Sequence, residues 1–263
     1  MRIIPKARPG RFLRTFPDPQ SLAAGAVALF LEAVGHAVSQ RGRFAVALAG
    51  GRTPRQFYEA LAGAASGRVP WGAVEIFFGD ERPVPPEHPD SNYAMAQASL
   101  LGRVPLPPGQ VHRIRAELAP ASAADEYERT LRARFRLSTG EVPRFDLVLL
   151  GLGADGHTAS LFPGTNALSE TQRLVCANWV PKFGHHRVTL TLPVLNAARQ
   201  VVFLVAGADK AEVVKEVLAG PDREPPHPAT LVQPAAGELH WLLDAAAASA
   251  LPHGPTLAAD SAG

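Results

Sequence analysis

Asp155 and His157 stand two residues apart in the glycine-broken turn GLGADGH, directly after the apolar run Phe145 to Leu150. Such a run, rich in β-formers, suits a strand buried on both faces of a parallel sheet. In open α/β sheets ligands bind outside the carboxyl ends of the strands. A carboxylate and an imidazole delivered there are suited to acid–base chemistry on a bound ligand. The same glycines, Gly151-x-Gly153-x-x-Gly156, also match the dinucleotide fingerprint. That motif needs an acidic residue about 20 positions further on to hold a ribose. Glu170 comes too early, and the next apolar run, Leu174 to Val180, ends in Pro181 and Lys182. No nucleotide site is expected.

Other segments that follow strand-like runs also carry chemistry. In Gly50-Gly51-Arg52-Thr53-Pro54 the paired glycines allow backbone N–H groups to approach an anion, and Thr53 adds a hydroxyl. With Thr53 as N-cap and Pro54 as first helical residue, the positive end of a helix faces the same place. An ordinary strand–turn–helix connection has the same look. Gly79-Asp80-Glu81-Arg82 brings three ionisable residues to a strand end, with Ser91-Asn92-Tyr93 opening the next helix. Arg82 can bind a carboxylate, a phosphate or a developing oxyanion. His185-His186-Arg187 contains adjacent histidines, but neighbours on a strand point to opposite faces, which argues against a metal. Lys210, in Gly207-Ala208-Asp209-Lys210, opens a helix and is either an anion ligand or a solvated charge. Lysine is scarce here (Lys6, Lys182, Lys210 and Lys215 only), which gives weight to one inside a motif.

Neither a GxSxG elbow nor an HExxH helix is present, so imidazole-activated water is favoured over a covalent nucleophile. The single Cys176 lies in an apolar run, reads as a structural thiol, and excludes an intramolecular disulfide.

The elements that must position these groups alternate along almost the whole chain. Extended runs are expected at 12–16, 44–49, 74–78, 111–114, 145–150, 174–180, 187–192, 201–206 and 239–243. Helices are expected at 21–40, from 53 to about 61, from 91 through 101, and over 121–137 and 209–218. Alternation of this kind builds a Rossmann-like, mostly parallel sheet flanked by helices on both faces. Residues 1–244 are expected to form a single α/β domain, with 245–263 an Ala-rich tail. The 263 residues carry Lys+Arg 26 against Asp+Glu 24, a net charge of +2 that implies no nucleic-acid partner. No uninterrupted apolar stretch approaches the ~20 residues of a membrane span, and the first ten residues lack the apolar core of a secretion signal. A cytoplasmic monomer without a membrane association is the expectation.

The motifs GGRTP, GDERPVPPEHPDSNY, LGLGADGHTASLFPGT, RVTLTLPVLNAAR and GADKAEVV, in this order, resemble the 6-phosphogluconolactonase family. The likeness runs from about Ser21 to Leu218. It implies a sheet related to the glucosamine-6-phosphate deaminase and ribose-5-phosphate isomerase folds. Deaminases of that superfamily share a DGH-type loop but continue with an Ala-Phe-Asn-Glu-Pro-like sequence. Here Thr158 to Pro163 reads TASLFP, which looks like a lactonase. A non-catalytic sugar-phosphate sensor on the same fold is the other alternative. Arg52 and the segment Phe183 to His186 depart from the family pattern at the phosphate end.

The resemblance implies hydrolysis of 6-phospho-D-glucono-1,5-lactone without metal or organic cofactor. His157, Asp155 and Arg82 are then the catalytic candidates, with His157 as general base. Asp155 either orients His157 or binds a sugar hydroxyl. Gly50, Gly51, Thr53, Arg187 and Lys210 are candidates for the phosphate. Asp80, Arg82 and Asn92 are candidates for the sugar or the oxyanion.

Overall fold

In this computed structural model, residues 10–63, 66–221 and 223–252 are described. In chain order the elements are β1 (Arg11–Phe16), α1 (Pro19–Arg41), β2 (Phe44–Leu48), α2 (Arg52–Ala62), β3 (Val74–Phe78), β4 (Asp80–Glu81), α3 (Asn92–Ser99) and α4 (Pro120–Phe135). They continue with β5 (Leu147–Leu150), β6 (Val175–Val180), β7 (His185–Leu190), α5 (Leu192–Ala197), β8 (Gln200–Val205), α6 (Ala211–Leu218) and β9 (Glu238–Asp244).

The large sheet has the order β1-β9-β8-β5-β2-β3, and each of its strand pairs is parallel. From β2 the chain first moves outward to β3, then returns to the other side of β2 as β5 and proceeds to β8 and β9. The strand order therefore reverses between β2 and β5. At such a switch point the connections leave to opposite sides and open a crevice at the carboxyl ends. The segments GGRTP and GLGADGH leave β2 and β5 at that crevice.

Central strands read as unbroken apolar runs because both faces are covered. All five residues of β2 and all four of β5 are buried. Two tyrosines close the ladder where it ends: Tyr58 Oη on α2 accepts from Ala49 N at 3.0 Å and donates to Ala49 O at 2.8 Å. Tyr127 Oη on α4 does the same for Phe78, at 2.8 and 3.0 Å. Each hydroxyl pairs backbone groups that the sheet no longer reaches, in a place where unpaired groups are costly. Burial pushes both phenols far above the usual tyrosine range.

α1 begins at Asp18, whose carboxylate accepts from Ser21 N at 2.7 Å, and stops at Gly42 in the left-handed region (φ 70°). It is long and apolar enough to cross a membrane by length and composition, with a mean hydropathy of 1.6. Its buried face of Leu22, Ala26, Phe30 and Val34 lies in the core of this fold, which accounts for the apolarity.

A second, antiparallel sheet, β4-β7-β6, was not apparent from the alternation of elements. Gly79 is the junction between the sheets. Its N–H donates to Leu48 O in the large sheet at 2.9 Å, and its carbonyl accepts from Leu190 N at 2.8 Å.

Four local expectations change. Residues 111–114 form no strand: Val111 makes only an isolated bridge to Ile76, because the Pro-Pro-Gly stretch before it leaves little extended chain to pair. Gly51, not Thr53, is the N-cap of α2, and no side chain caps it. The expected extended run at 187–192 ends earlier, with β7 stopping at Leu190 and the six-residue α5 starting at Leu192. Past β9 the chain turns back: Ala247 N donates to Asp244 Oδ1 at 2.7 Å and Ala247 is buried. The rest of the expected tail, residues 253–263, lies outside the described residues.

Candidate active site

A cleft of about 260 Å³ opens at the reversal between β2 and β5. Loops after four strands line it: Gly50 to Pro54 after β2, Gly79, Asp80 and Arg82 after β3, Gly151 to Gly153 and His157 to Ala159 after β5, and Ala206 and Lys210 after β8. Eight of the ten residues singled out from the sequence face it, namely Gly50, Gly51, Thr53, Asp80, Arg82, Asn92, His157 and Lys210. Asp155 and Arg187 do not line it.

Asp155 stands behind His157. Its Oδ1 lies 2.5 Å from His157 Nδ1 and accepts from the His157 backbone N–H at 3.2 Å. Its Oδ2 pairs with Lys182 Nζ at 3.2 Å. The hydrogen bond from His157 holds the Asp155 carboxyl far below the usual carboxylate range, with the Lys182 contact adding to it. An ionised partner at Nδ1 fixes the proton there and leaves Nε2 as the acceptor. Phe162 stacks on the imidazole, ring centroids 4.1 Å apart and planes at 26°. This arrangement holds the imidazole oriented against a carboxylate.

The β2 loop is built for close approach. Gly51 has φ 105°, open to glycine and strained for any other residue. At Gly50 a Cβ would meet Asn92 Oδ1 at 1.9 Å, so the two loops touch only because the side chain is missing. α2 starts at Arg52, and its first backbone N–H groups have no helical acceptor. The N-terminus of α2 and Lys210 line the same cleft, a pairing that suits an anion.

The β3 loop is tied down by its own acids. Glu81, buried, accepts from Asn92 N at 2.7 Å, Tyr93 N at 2.9 Å and Ser91 Oγ at 3.0 Å, and so caps α3. Burial nonetheless pushes its carboxyl up. Asp80 accepts from Ser160 Oγ at 2.6 Å and from Asn92 Nδ2 at 3.2 Å. Arg82 is held by the backbone carbonyl of Asp90. Arg187 sits on β7 beside Arg82, its guanidinium 5.0 Å from the Phe183 ring centroid. Burial and the neighbouring Arg82 lower its pKa.

The fingerprint glycines serve a turn rather than a dinucleotide. No helix follows β5 directly; Gly156 has φ 76° and the chain folds back through a bridge between Thr158 and Leu161. Phe162, Lys182 and Ser160 were not anticipated as parts of the site. Lys182 carried one signal, the scarcity of lysine. Ser160 and Phe162 carried none beyond their place in the motif after His157.

The sequence profile of the glucosamine-6-phosphate isomerases/6-phosphogluconolactonase family matches residues 17–241. The chain belongs to that family. A 6-phosphogluconolactonase of Nostoc sp. is 43% identical over 240 residues, covering 91% of this chain and 98% of the relative. The structure of 6-phosphogluconolactonase from Trypanosoma cruzi superposes with a TM-score of 0.82 at 30% identity, covering 92% and 97% of the two chains. A monomeric glucosamine-6-phosphate deaminase superposes with a TM-score of 0.74 at 19% identity, covering 91% and 99%. That likeness concerns the fold alone.

Proposed function

We propose that the protein hydrolyses 6-phospho-D-glucono-1,5-lactone to 6-phosphogluconate, with His157 as the general base. The observation that carries the reading is the pairing of His157 Nδ1 with Asp155 Oδ1 at 2.5 Å in a cleft that Lys210 also lines. The 6-phosphogluconolactonases at 43% and 30% identity support the substrate class.

In this scheme His157 Nε2 takes a proton from water as the water attacks the lactone carbonyl. Negative charge develops on the carbonyl oxygen, and Arg82, the cleft-lining cation on the β3 loop, is its partner in this scheme. The ring oxygen then departs and receives the proton from His157. Asp155, behind the ring rather than in the cleft wall, fixes the tautomer and stays ionised. The backbone at Gly50 and Gly51, the α2 N-terminus, Thr53 and Lys210 hold the phosphate. Arg187 acts there only from outside the cleft wall. No cofactor enters the scheme. The reading takes the protein to be a cytoplasmic monomer acting on this small sugar phosphate, which cell fractionation and sedimentation check.

The test is acid release from fresh lactone made enzymatically from glucose 6-phosphate, measured against the spontaneous rate. Catalytic acceleration, lost in His157→Ala, is the expected result. Ammonia release from glucosamine 6-phosphate, or lactone binding without acceleration, would overturn it.

A further inference from the structure

The turn that carries Asp155 and His157 is braced from behind by a side chain far along the sequence. His227, in the segment after α6, is 6% exposed. Its ring lies on Gly156, where a Cβ would meet His227 Nδ1 at 2.2 Å. His227 Nδ1 is 3.3 Å from the carbonyl oxygen of Asp155, and Nε2 is 2.7 Å from Glu216 Oε2 on α6. Arg223 Nη1 stands 3.2 Å from the same Nε2 and 3.5 Å from Glu216 Oε2. Two residues further on, Ala229 N donates to Gly156 O at 3.0 Å. The peptide between the two functional residues is therefore held at both of its carbonyls, those of Asp155 and Gly156.

We propose that His227, with Glu216 fixing its ring, is a positioning residue for the Asp155–His157 pair. It touches neither substrate nor the reacting atoms. Gly156 has φ 76°, a conformation that glycine adopts without cost but does not itself enforce. A glycine-rich turn samples several conformations in isolation. Only one of them puts the carboxylate of Asp155 against the imidazole two residues on. A ring seated on the glycine and a donor on the Asp155 carbonyl select that one. The Asp155 carbonyl can only accept, so Nδ1 is the donor in that contact.

The proposal rests on the lactonase reading for its kinetic arm only. His227→Leu keeps apolar bulk under Gly156 and removes the donor. His227→Asn places an amide N–H near the position of Nδ1. For His227→Leu, with folding checked by its melting transition, kcat is expected to fall about ten- to a hundred-fold with KM nearly unchanged, as for a misplaced catalytic group. His227→Asn should recover most of that loss. Glu216→Ala, at a half-exposed position that puts folding at little risk, should give a smaller loss in the same direction.

The second arm needs no substrate: the ring ¹⁵N shifts of His157 by NMR should change in His227→Leu and Glu216→Ala and return in His227→Asn. If the wild type fails to hydrolyse the lactone, the lactonase reading fails and this arm still decides the brace. Unchanged His157 shifts in Glu216→Ala and in folded His227→Leu, or an Asn variant no better than Leu, would overturn the proposal.

Discussion

The imidazole of His157 lies directly over Gly153, so close that a Cβ on residue 153 would stand 1.9 Å from Nδ1. The two residues also close the turn through a backbone bond from Gly153 N to His157 O at 2.9 Å. The imidazole has its position because the wall behind it has no side chain. Gly153→Ala must push the ring off Asp155 or shift the loop. Steady-state kinetics should show turnover collapsing. Unfolding in urea should show a loss of the order of 1–3 kcal/mol, as for an overpacked site. Normal turnover in Gly153→Ala would show that the imidazole works from another position.

Removal of the base itself gives the larger effect. His157→Ala should lower kcat about 10²- to 10⁴-fold with an unchanged circular dichroism spectrum. Asp155→Asn should also slow turnover, because an amide at this place no longer holds the proton on Nδ1.

Lys210 lines the cleft and Arg187 does not. Lys210→Met should therefore raise KM with little change in kcat, and Arg187→Met should raise it less. Loss of an interaction common to ground and transition states acts on KM in this way. The reverse order in initial-rate measurements would place the phosphate on the β7 side.

Ser160 Oγ gives a 2.6 Å hydrogen bond to the buried Asp80 carboxylate. Ser160→Ala leaves that oxygen without its donor, a change that costs about 1–3 kcal/mol, or more for a charged group. Differential scanning calorimetry should show a lowered melting temperature, and an unchanged one would mean that another donor replaces the hydroxyl.

The Asp155 carboxyl is held below its ordinary value of 3.8, chiefly by the hydrogen bond from His157. A depressed folded-state value means the stabilisation is present above the unfolded value and lost as pH falls through the folded one. The stability gap between wild type and Asp155→Asn should be constant near neutrality and shrink below about pH 4. A loss of kcat/KM between about pH 8 and 5 then does not come from this carboxylate.

Much of this architecture was legible along the chain. The mostly apolar runs at 44–49, 74–78 and 145–150 declared parallel strands because a strand covered on both faces is dominated by apolar residues. The glycine-broken turns after them announced the loops that line the cleft. Less legible were groups whose partners are distant in sequence. Glu81 reads as one of three loop charges, yet it caps α3 from ten residues away. Asp80 and Ser160 meet across 80 residues. Residues 111–114 read as a strand by composition but make a single bridge, since pairing needs a neighbour in register as well as suitable side chains.

The sequence by itself marked the strands and turns that carry the candidate residues, because local pattern and glycine placement dictate strand, turn and helix start. Only the tertiary structure decided that Asp155 faces His157 and Lys182 rather than the cleft, and that Arg187 lies outside the wall. It also seated His227 under Gly156. Those outcomes depend on the order in which strands pair and on which loops that order brings into contact, and no local run of residues encodes them.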